Sequence, residues 1–293
     1  MGGKIILRTA LTAAAVAAFV AGMAAGRAAP AKTMFGEAQK LGKGTVKTYA
    51  VVRDDDKVTA IGVVFKAGML EGLPSEPNKT SRCYDLDKDG RIADHGECEG
   101  DYELRLSLPA ALAKRNDIPF RWVGLNWNSH GHPPKAWSVP HFDFHFYMVG
   151  KPEIDAIKVG PCPFFIDCED KKRALMKVPA KYVHPDHVSV GATVSRMGDH
   201  LIDSKTPELA RKNPKPFTHT MIFGAYGGHI TFYEPMITRA FLLSRPANGC
   251  TRVKRPKAWE RSGYYPTVYC IRHSKKHGTY TVSLEGMVYR SAE

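Results

Sequence analysis

The sequence predicts a mainly β fold (α+β) of antiparallel sheet, a sandwich or barrel-like body with short helices in its middle segment. Three observations carry this. Segments rich in Val, Ile, Phe, Tyr and Thr recur with the period-two alternation of half-buried strands. Polar or glycine-bearing turns separate them at hairpin spacing, and helical spacing is confined to short stretches, chiefly between residues 151 and 216. The 293 residues suffice for one large or two modest domains, and 43% hydrophobic with 24% charged content is that of a globular chain able to bury a sizeable core.

Residues 1–31 read as a cleaved signal peptide. Lys4 and Arg8 precede an uncharged, Ala-rich run from Thr9 to Gly26, and Ala29-Pro30-Ala31 fits the small-x-small rule for cleavage before Lys32. An uncleaved anchor is the other reading, because a run of about 18 residues is near the minimum for a membrane span. No later stretch is long and apolar enough to span a bilayer, so the expectation is an exported (periplasmic or extracellular) protein with no span after cleavage.

The mature chain opens with a β-rich first part, 32–150. Val46 to Val52 and Val58 to Phe65 are strand-like around the polar turn Arg53-Asp-Asp-Asp-Lys57, and Pro109 to Arg115 is a short helix with proline in its first turn. Arg121 to Trp127 and Trp137 to Val149 form a second strand pair. The segment 151–216 reads as helices and loops, with Pro152 to Lys158 and Glu169 to Lys177 the helical stretches. A β-rich second part, 217–293, repeats the first in outline. Phe217 to Phe223 and His229 to Tyr233 flank Gly224-Ala-Tyr-Gly-Gly228, and Pro266 to Arg272 precedes Tyr280 to Tyr289. This points to two diverged halves, about 45–150 and 217–291, each contributing two strand pairs; the other reading is that any two hairpins look alike.

Cysteine usage agrees with export. Six cysteines allow 15 connectivities, and neighbour pairing is the expectation: Cys83 with Cys98, Cys162 with Cys168, and Cys250 with Cys270, each bracketing a loop that a staple would order. Zinc ligation by these cysteines is disfavoured by the absence of Cys-x-x-Cys.

The formal net charge of +13 falls by three on cleavage, since Lys4, Arg8 and Arg27 lie in the leader. Basic clusters at Lys171-Lys172-Arg173, Arg211 to Lys215, Arg252 to Arg261 and Arg272 to Lys276 offer two readings, an anionic surface partner or a solubilising surface. Nucleic-acid motifs are absent, and no nucleic acid is expected as a partner.

Cys83-Tyr-Asp85-Leu-Asp87-Lys-Asp89-Gly90-Arg91-Ile92 matches the opening of a calcium loop. Acids stand at positions 1, 3 and 5, glycine at 6, a backbone ligand (Arg91) at 7 and an apolar residue at 8. Alternate short carboxylates in a tight loop converge on one hard cation. The pattern departs from an EF-hand at position 12, where Gly96 stands, so Asp94 or Glu97 would close the coordination of a structural calcium; the other reading is an acidic solvated loop held shut by a Cys83–Cys98 bridge.

Pro140 to Val149 is the most sharply patterned stretch. On a strand His141, Asp143, His145 and Tyr147 share one face, while Phe142, Phe144, Phe146 and Met148 share the other. At about 3.3 Å per residue, His141 and His145 stand roughly 13 Å apart, too far for one ion, whereas neighbours two apart can converge. A transition-metal site therefore takes Asp143 with one of the nearby histidines, among which His130 and His132 also fall, and recruits His200 and Glu234. Such imidazoles and carboxylates suit zinc, copper, nickel or iron. The other reading is a buried hydrogen-bond network in which Asp143 and Tyr147 satisfy the histidines.

Gly131-His-Pro-Pro134, PHFDFHFYM at 140–148, MGDHLID at 197–203, and THTMIFGAYGG with FYEPMIT at 218–238 resemble an exported bacterial family of unknown function that includes a sigma-E-controlled protein of Thermus. The resemblance implies an exported globular protein and brings no catalytic residue. Two functions follow as expectations. The first is an exported metal-binding protein, with metal-assisted hydrolysis as the reaction class if it is an enzyme and a spare His or Glu234 as base. The second is a non-catalytic envelope or cell-surface interaction protein that self-associates or docks through basic patches.

Overall fold

The computed structural model describes residues 30–92, 97–247 and 249–293. The expected leader, apart from Pro30 and Ala31, and the acidic-loop residue Asp94 lie outside the described residues.

Strands β1 (Ala31–Phe35) and β2 (Gln39–Leu41) lead into the hairpin β3 (Gly44–Arg53) and β4 (Val58–Lys66), whose turn is the triple-Asp segment. A 3-10 turn, Ala67–Leu70, buries Met69 and Leu70. The pair β5 (Asn78–Cys83) and β6 (Cys98–Gly100) carries the acidic loop; β7 (Tyr102–Ser107) and helix α1 (Ala110–Ala113) follow. Next come β8 (Trp122–Asn128), β9 (His141–Tyr147), α2 (Lys151–Asp155), β10 (Val159–Cys162) and α3 (Cys168–Ala174), the last capped by the Asp167 side chain. Strands β11 (His187–Val194), β12 (Gly198–Asp203), β13 (His219–Tyr226) and β14 (His229–Thr238) precede α4 (Arg239–Leu243). The chain ends with β15 (Gly249–Arg252), β16 (Gly263–Tyr265), β17 (Val268–Ser274), β18 (Thr279–Glu285) and β19 (Val288–Arg290).

Two antiparallel sheets result. One runs β1-β3-β4-β18-β17-β15, with β2 also on β3; the other runs β11-β12-β13-β14-β9-β8-β7. Neither closes into a barrel, so the body is sandwich-like. Between the sheets lies one core, in which Ile61, Val63, Tyr280 and Val282 of the first sheet cluster with Phe142, Phe144, Phe146 and Phe223 of the second. Phe142, Phe144 and Phe146 are fully buried, each contributing about 1.5–3 kcal/mol by leaving water.

The strand order repeats. Strands β1, β3, β4, β7, β8 and β9 stand in the same mutual order as β12, β13, β14, β15, β17 and β18. Each sheet joins the first hairpin of one half to the second hairpin of the other: β4 pairs with β18, and β14 with β9. The segments 32–150 and 217–293 therefore build both sheets together.

The middle segment differs from expectation. Besides α2 and α3, residues 151–216 hold β10, β11 and β12, and the last two extend the second sheet beyond β13. Sheet pairing there outweighs the weak strand propensity of a segment punctuated by Gly191, Gly198 and two Asp residues.

The three disulfides are the neighbour pairs, Cys83–Cys98, Cys162–Cys168 and Cys250–Cys270, and they fit an oxidising compartment. Among the described residues no helix is long and apolar enough to cross a membrane.

Two satellite clusters cover the outer face of the second sheet. Trp122, Tyr147 and Phe232 pack under Ile154, Ile157, Ile166 and Met197, while Ile222 and Met236 pack under Trp137 and Phe217. The polar face of β9 is thereby buried between two apolar lids.

Candidate metal centre

On the outer face of the second sheet, Asn128 of β8 stands opposite His141 of β9, Asn126 opposite Asp143, and Gly124 opposite His145. Across β9 lies β14, with Phe232 opposite Tyr147 and Met236 opposite Asp143. Glu234 falls between these registers, beside His145. Beyond it Ile222 of β13 faces Glu234, and His200 of β12 pairs with Gly224.

The side chains separate into two trios. In each, three ligand atoms lie within 4.8 Å of one another: His145, His200 and Glu234 form the inner trio, and His132, His141 and Asp143 the outer one. His141 and His145 thus belong to different groups, as the rise of the strand requires.

In the inner trio, His145 Nε2 is 3.4 Å from Glu234 Oε1, and His200 Nε2 is 3.9 Å from Glu234 Oε2. The His200 Nδ1–H donates to the Ala192 carbonyl at 2.9 Å, which leaves the Nε2 lone pair facing the carboxyl. Burial pushes the His145 imidazole down to about 3 and that of His200 to about 4, so both are neutral. Burial, reinforced by the nearby Asp143 charge, pushes the Glu234 carboxyl well above the usual range. His145 Nδ1 and Glu234 Oε2 are buried without a hydrogen-bond partner. Phe232 and Tyr147 wall His145, their ring centres 4.8 and 5.7 Å away, and Trp122 stacks on Tyr147 at 4.0 Å.

In the outer trio, His141 Nε2 lies 3.1 Å from His132 Nε2 and 3.3 Å from Asp143 Oδ1, while His132 Nε2 lies 3.7 Å from Asp143 Oδ2. Asn128 Nδ2 donates to Asp143 Oδ2 at 2.6 Å. Burial alone would raise the Asp143 carboxyl, but the facing imidazoles of His141 and His132 outweigh it and hold the group below the usual carboxylate range. For His132 burial works downward and Asp143 outweighs it, raising the imidazole; for His141 burial wins and lowers it.

A buried charge network adjoins the trios. Arg82 pairs with Asp101, which also accepts from Asn126, and burial pushes the Glu99 carboxyl up to about 7 against the pull of Arg82. This network was not read as part of the site from sequence, where His132 stood only as one of several nearby histidines that Asp143 could draw on. The alternation of Asn126 and Asn128 along Trp122–Asn128 is the signal that marks β8 as a second polar strand.

The acidic loop brings Asp85, Asp87 and Asp89 together, with one carboxylate oxygen of each within 4.8 Å of the others. Their carboxylates also organise the loop: Gly90 N donates to Asp85, Asp89 N to Asp87 and Arg91 N to Asp89, at 2.9, 3.1 and 2.7 Å. Glu97 is buried, and its Oε1 accepts from Leu86 N at 2.7 Å.

Groups able to hold a metal ion are thus present, with fixed imidazole tautomers at three of four histidines. All six side chains of the trios come from the motifs at 131–134, 140–148, 197–203 and 232–238. Comparison of the chain with protein-family models, curated proteins and solved structures finds no match in any of the three.

Proposed function

We propose that the chain is an exported, disulfide-stapled metal-binding protein whose principal site is the inner trio, taking a divalent transition ion, zinc in the first instance. One observation carries this reading: two neutral imidazoles on different strands aim at a single buried carboxyl that has an oxygen to spare. A bare hydrogen-bond network would leave Glu234 Oε2 unpaired in the interior, at a cost of about 1–3 kcal/mol. Two histidines and one carboxylate are a recurrent donor set for zinc and non-haem iron. When bound, such an ion supplies Lewis acidity. The chain's own contribution is to hold His200 by the Ala192 carbonyl, to keep both imidazoles neutral, and to exclude water with Phe232, Tyr147 and Trp122. Burial of the ligand atoms favours a firmly held ion over substrate turnover.

Metal analysis of tag-free protein tests the proposal. Zinc at close to one equivalent should bind this trio and be lost in the His200→Ala/Glu234→Gln double variant. Less than about a tenth of an equivalent of any transition metal, unchanged on adding zinc or copper, would leave the non-catalytic interaction protein as the reading.

For the acidic loop we propose structural calcium held by Asp85, Asp87, Asp89 and the Arg91 carbonyl, closed by Asp94 or Glu97. The convergence of three carboxylates supports it. Calcium should raise the thermal midpoint of the parent and have no effect on an Asp85→Ala/Asp87→Ala variant; an unaltered response in the variant removes the assignment.

A further inference from the structure

We infer that His132, His141 and Asp143 form a second transition-metal site, separate from the inner trio and entered from solvent, for a divalent ion of borderline softness. It rests on an observation of its own. His141 Nδ1 is 2.7 Å from the Val139 carbonyl and His132 Nδ1 is 2.9 Å from the Pro133 carbonyl, so each ring spends its Nδ1–H on the backbone. Both Nε2 lone pairs are then directed at one another across 3.1 Å. Two lone pairs at that distance repel unless a proton or a cation lies between them, and the Asp143 carboxylate brings its negative charge to the same point, with Oδ1 accepting no hydrogen bond.

The spacing suits a cation. Ligand atoms held about 2.1 Å from a zinc-like ion are separated from one another by roughly 3.0–3.4 Å, depending on the coordination polyhedron. The Nε2–Nε2 and His141 Nε2–Oδ1 separations of 3.1 and 3.3 Å fall there, and His132 Nε2–Oδ2, at 3.7 Å, lies a few tenths of an ångström outside, so a small turn of the His132 ring completes the corners. Imidazole donors select zinc, copper, nickel or iron over magnesium and calcium. Two backbone carbonyls orient the rings and Asn128 orients the carboxylate, the supporting shell that metal-ligating side chains usually have.

The loop that carries His132 is preformed. Gly131 has φ +71°, and a Cβ there would meet the Trp137 carbonyl at 2.1 Å and Val139 N at 2.5 Å. His141 is fully buried, while the His132 side chain is about a third exposed, so the way in is past His132. No ligand is shared with the inner trio, so each site can be removed by substitution without deleting a ligand of the other.

Zinc titration of the metal-stripped, tag-free full chain, read by bound metal and by cobalt(II) d–d absorption, tests this. The parent should take about two equivalents and His132→Asn about one; Gly131→Ala, which shifts the loop and keeps every ligand, should weaken the second equivalent at least about tenfold. The inner and outer assignments fail separately. A single equivalent lost in Glu234→Gln and kept in His132→Asn overturns the outer site and leaves the inner one. A single equivalent lost in His132→Asn and kept in Glu234→Gln does the reverse. Full parental binding by both His132→Asn and Gly131→Ala overturns the outer site, because the Nε2 pair is then bridged by a proton.

Discussion

The outer faces of the two sheets occupy equivalent places in the repeated strand order, and their chemistry differs. Following the hairpin registers, Ser283 of β18 stands where His145 stands in β9, Gly62 of β4 where Glu234 stands in β14, and Tyr49 of β3 where Ile222 stands in β13. At these positions the first sheet's side chains bond one another. Ser283 Oγ donates to Glu285 at 2.6 Å, Arg272 grips the same carboxylate through two nitrogens, and Tyr49 lies beside Ser283. The second sheet's face leaves Asp143 Oδ1, His145 Nδ1, Tyr147 Oη and Glu234 Oε2 buried without partners. One frame thus carries a face whose polar groups bond one another and a face on which buried polar atoms stand without hydrogen-bond partners. The difference lies in side chains at matched positions and in the layer of α2, β10 and α3 laid over the second sheet only.

The largest expected effect comes from making the closed face carry a side chain where the open face has one. At Gly62 a Cβ would lie 2.6 Å from the Val282 carbonyl, 2.7 Å from Ser283 Cβ and 2.7 Å from the Tyr49 ring. The carbonyl belongs to the β4–β18 ladder and cannot yield without breaking it. Gly62→Ala should therefore cost about 3 kcal/mol, seen as a lower urea midpoint at unchanged slope. A cost below about 0.5 kcal/mol would show that the first sheet's face is not tightly closed, and the contrast would lose its basis.

Acid separates the faces next. In metal-free protein His145 and His200 stay neutral down to about 3 and about 4, whereas in the unfolded chain they protonate near 6.5. Between these values the unfolded state binds protons that the folded state refuses. The stabilisation is complete above about pH 6.5 and is lost as pH falls through about 4. His187 on β11, also pushed to about 4 by burial, adds to the same limb. The first sheet's outer network of Tyr49, Ser283, Glu285 and Arg272 contains no histidine. His200→Gln should flatten the slope of unfolding free energy against pH by up to one proton, worth about 2.5 kcal/mol between pH 6.5 and 4. His187→Gln should do likewise without touching zinc binding. An unchanged slope in both would place the acid sensitivity elsewhere.

Much of this was legible in local patterns. The alternation at 141–147 predicts β9, its apolar face in the core and its polar face in the site, and the strand rise predicts that His141 and His145 cannot share an ion. The acid spacing of the 85–89 loop and the neighbour pairing of cysteines were equally local. What needed the fold were relations set by distant chain. His200 sits on a strand that Gly198 and Asp199 disguise, and it reaches Glu234 only because β12 adds to β13. His132 reaches His141 because Gly131 bends its loop back against Trp137 and Val139, a geometry that spacing does not encode. The exchange of hairpins between the halves was hidden for the same reason: hairpin register is local, but the neighbour across a sheet is chosen by the whole core.

The smallest predicted effect is the sharpest discriminator. Ser283 donates one hydrogen bond to Glu285, and that carboxylate keeps both Arg272 nitrogens when the hydroxyl is removed. Ser283→Ala should therefore cost only about 1 kcal/mol, because no charge is left unpaired. The cost should be the same with and without zinc. His145→Ala, at the matched position of the other sheet, should by contrast cost more in zinc-loaded than in zinc-free protein, since it removes a ligand together with a buried ring. Thermal midpoints of the two variants, each with and without zinc, decide it. A zinc-dependent cost at Ser283, or a zinc-independent one at His145, would mean that the unpartnered face is completed by something other than a transition ion.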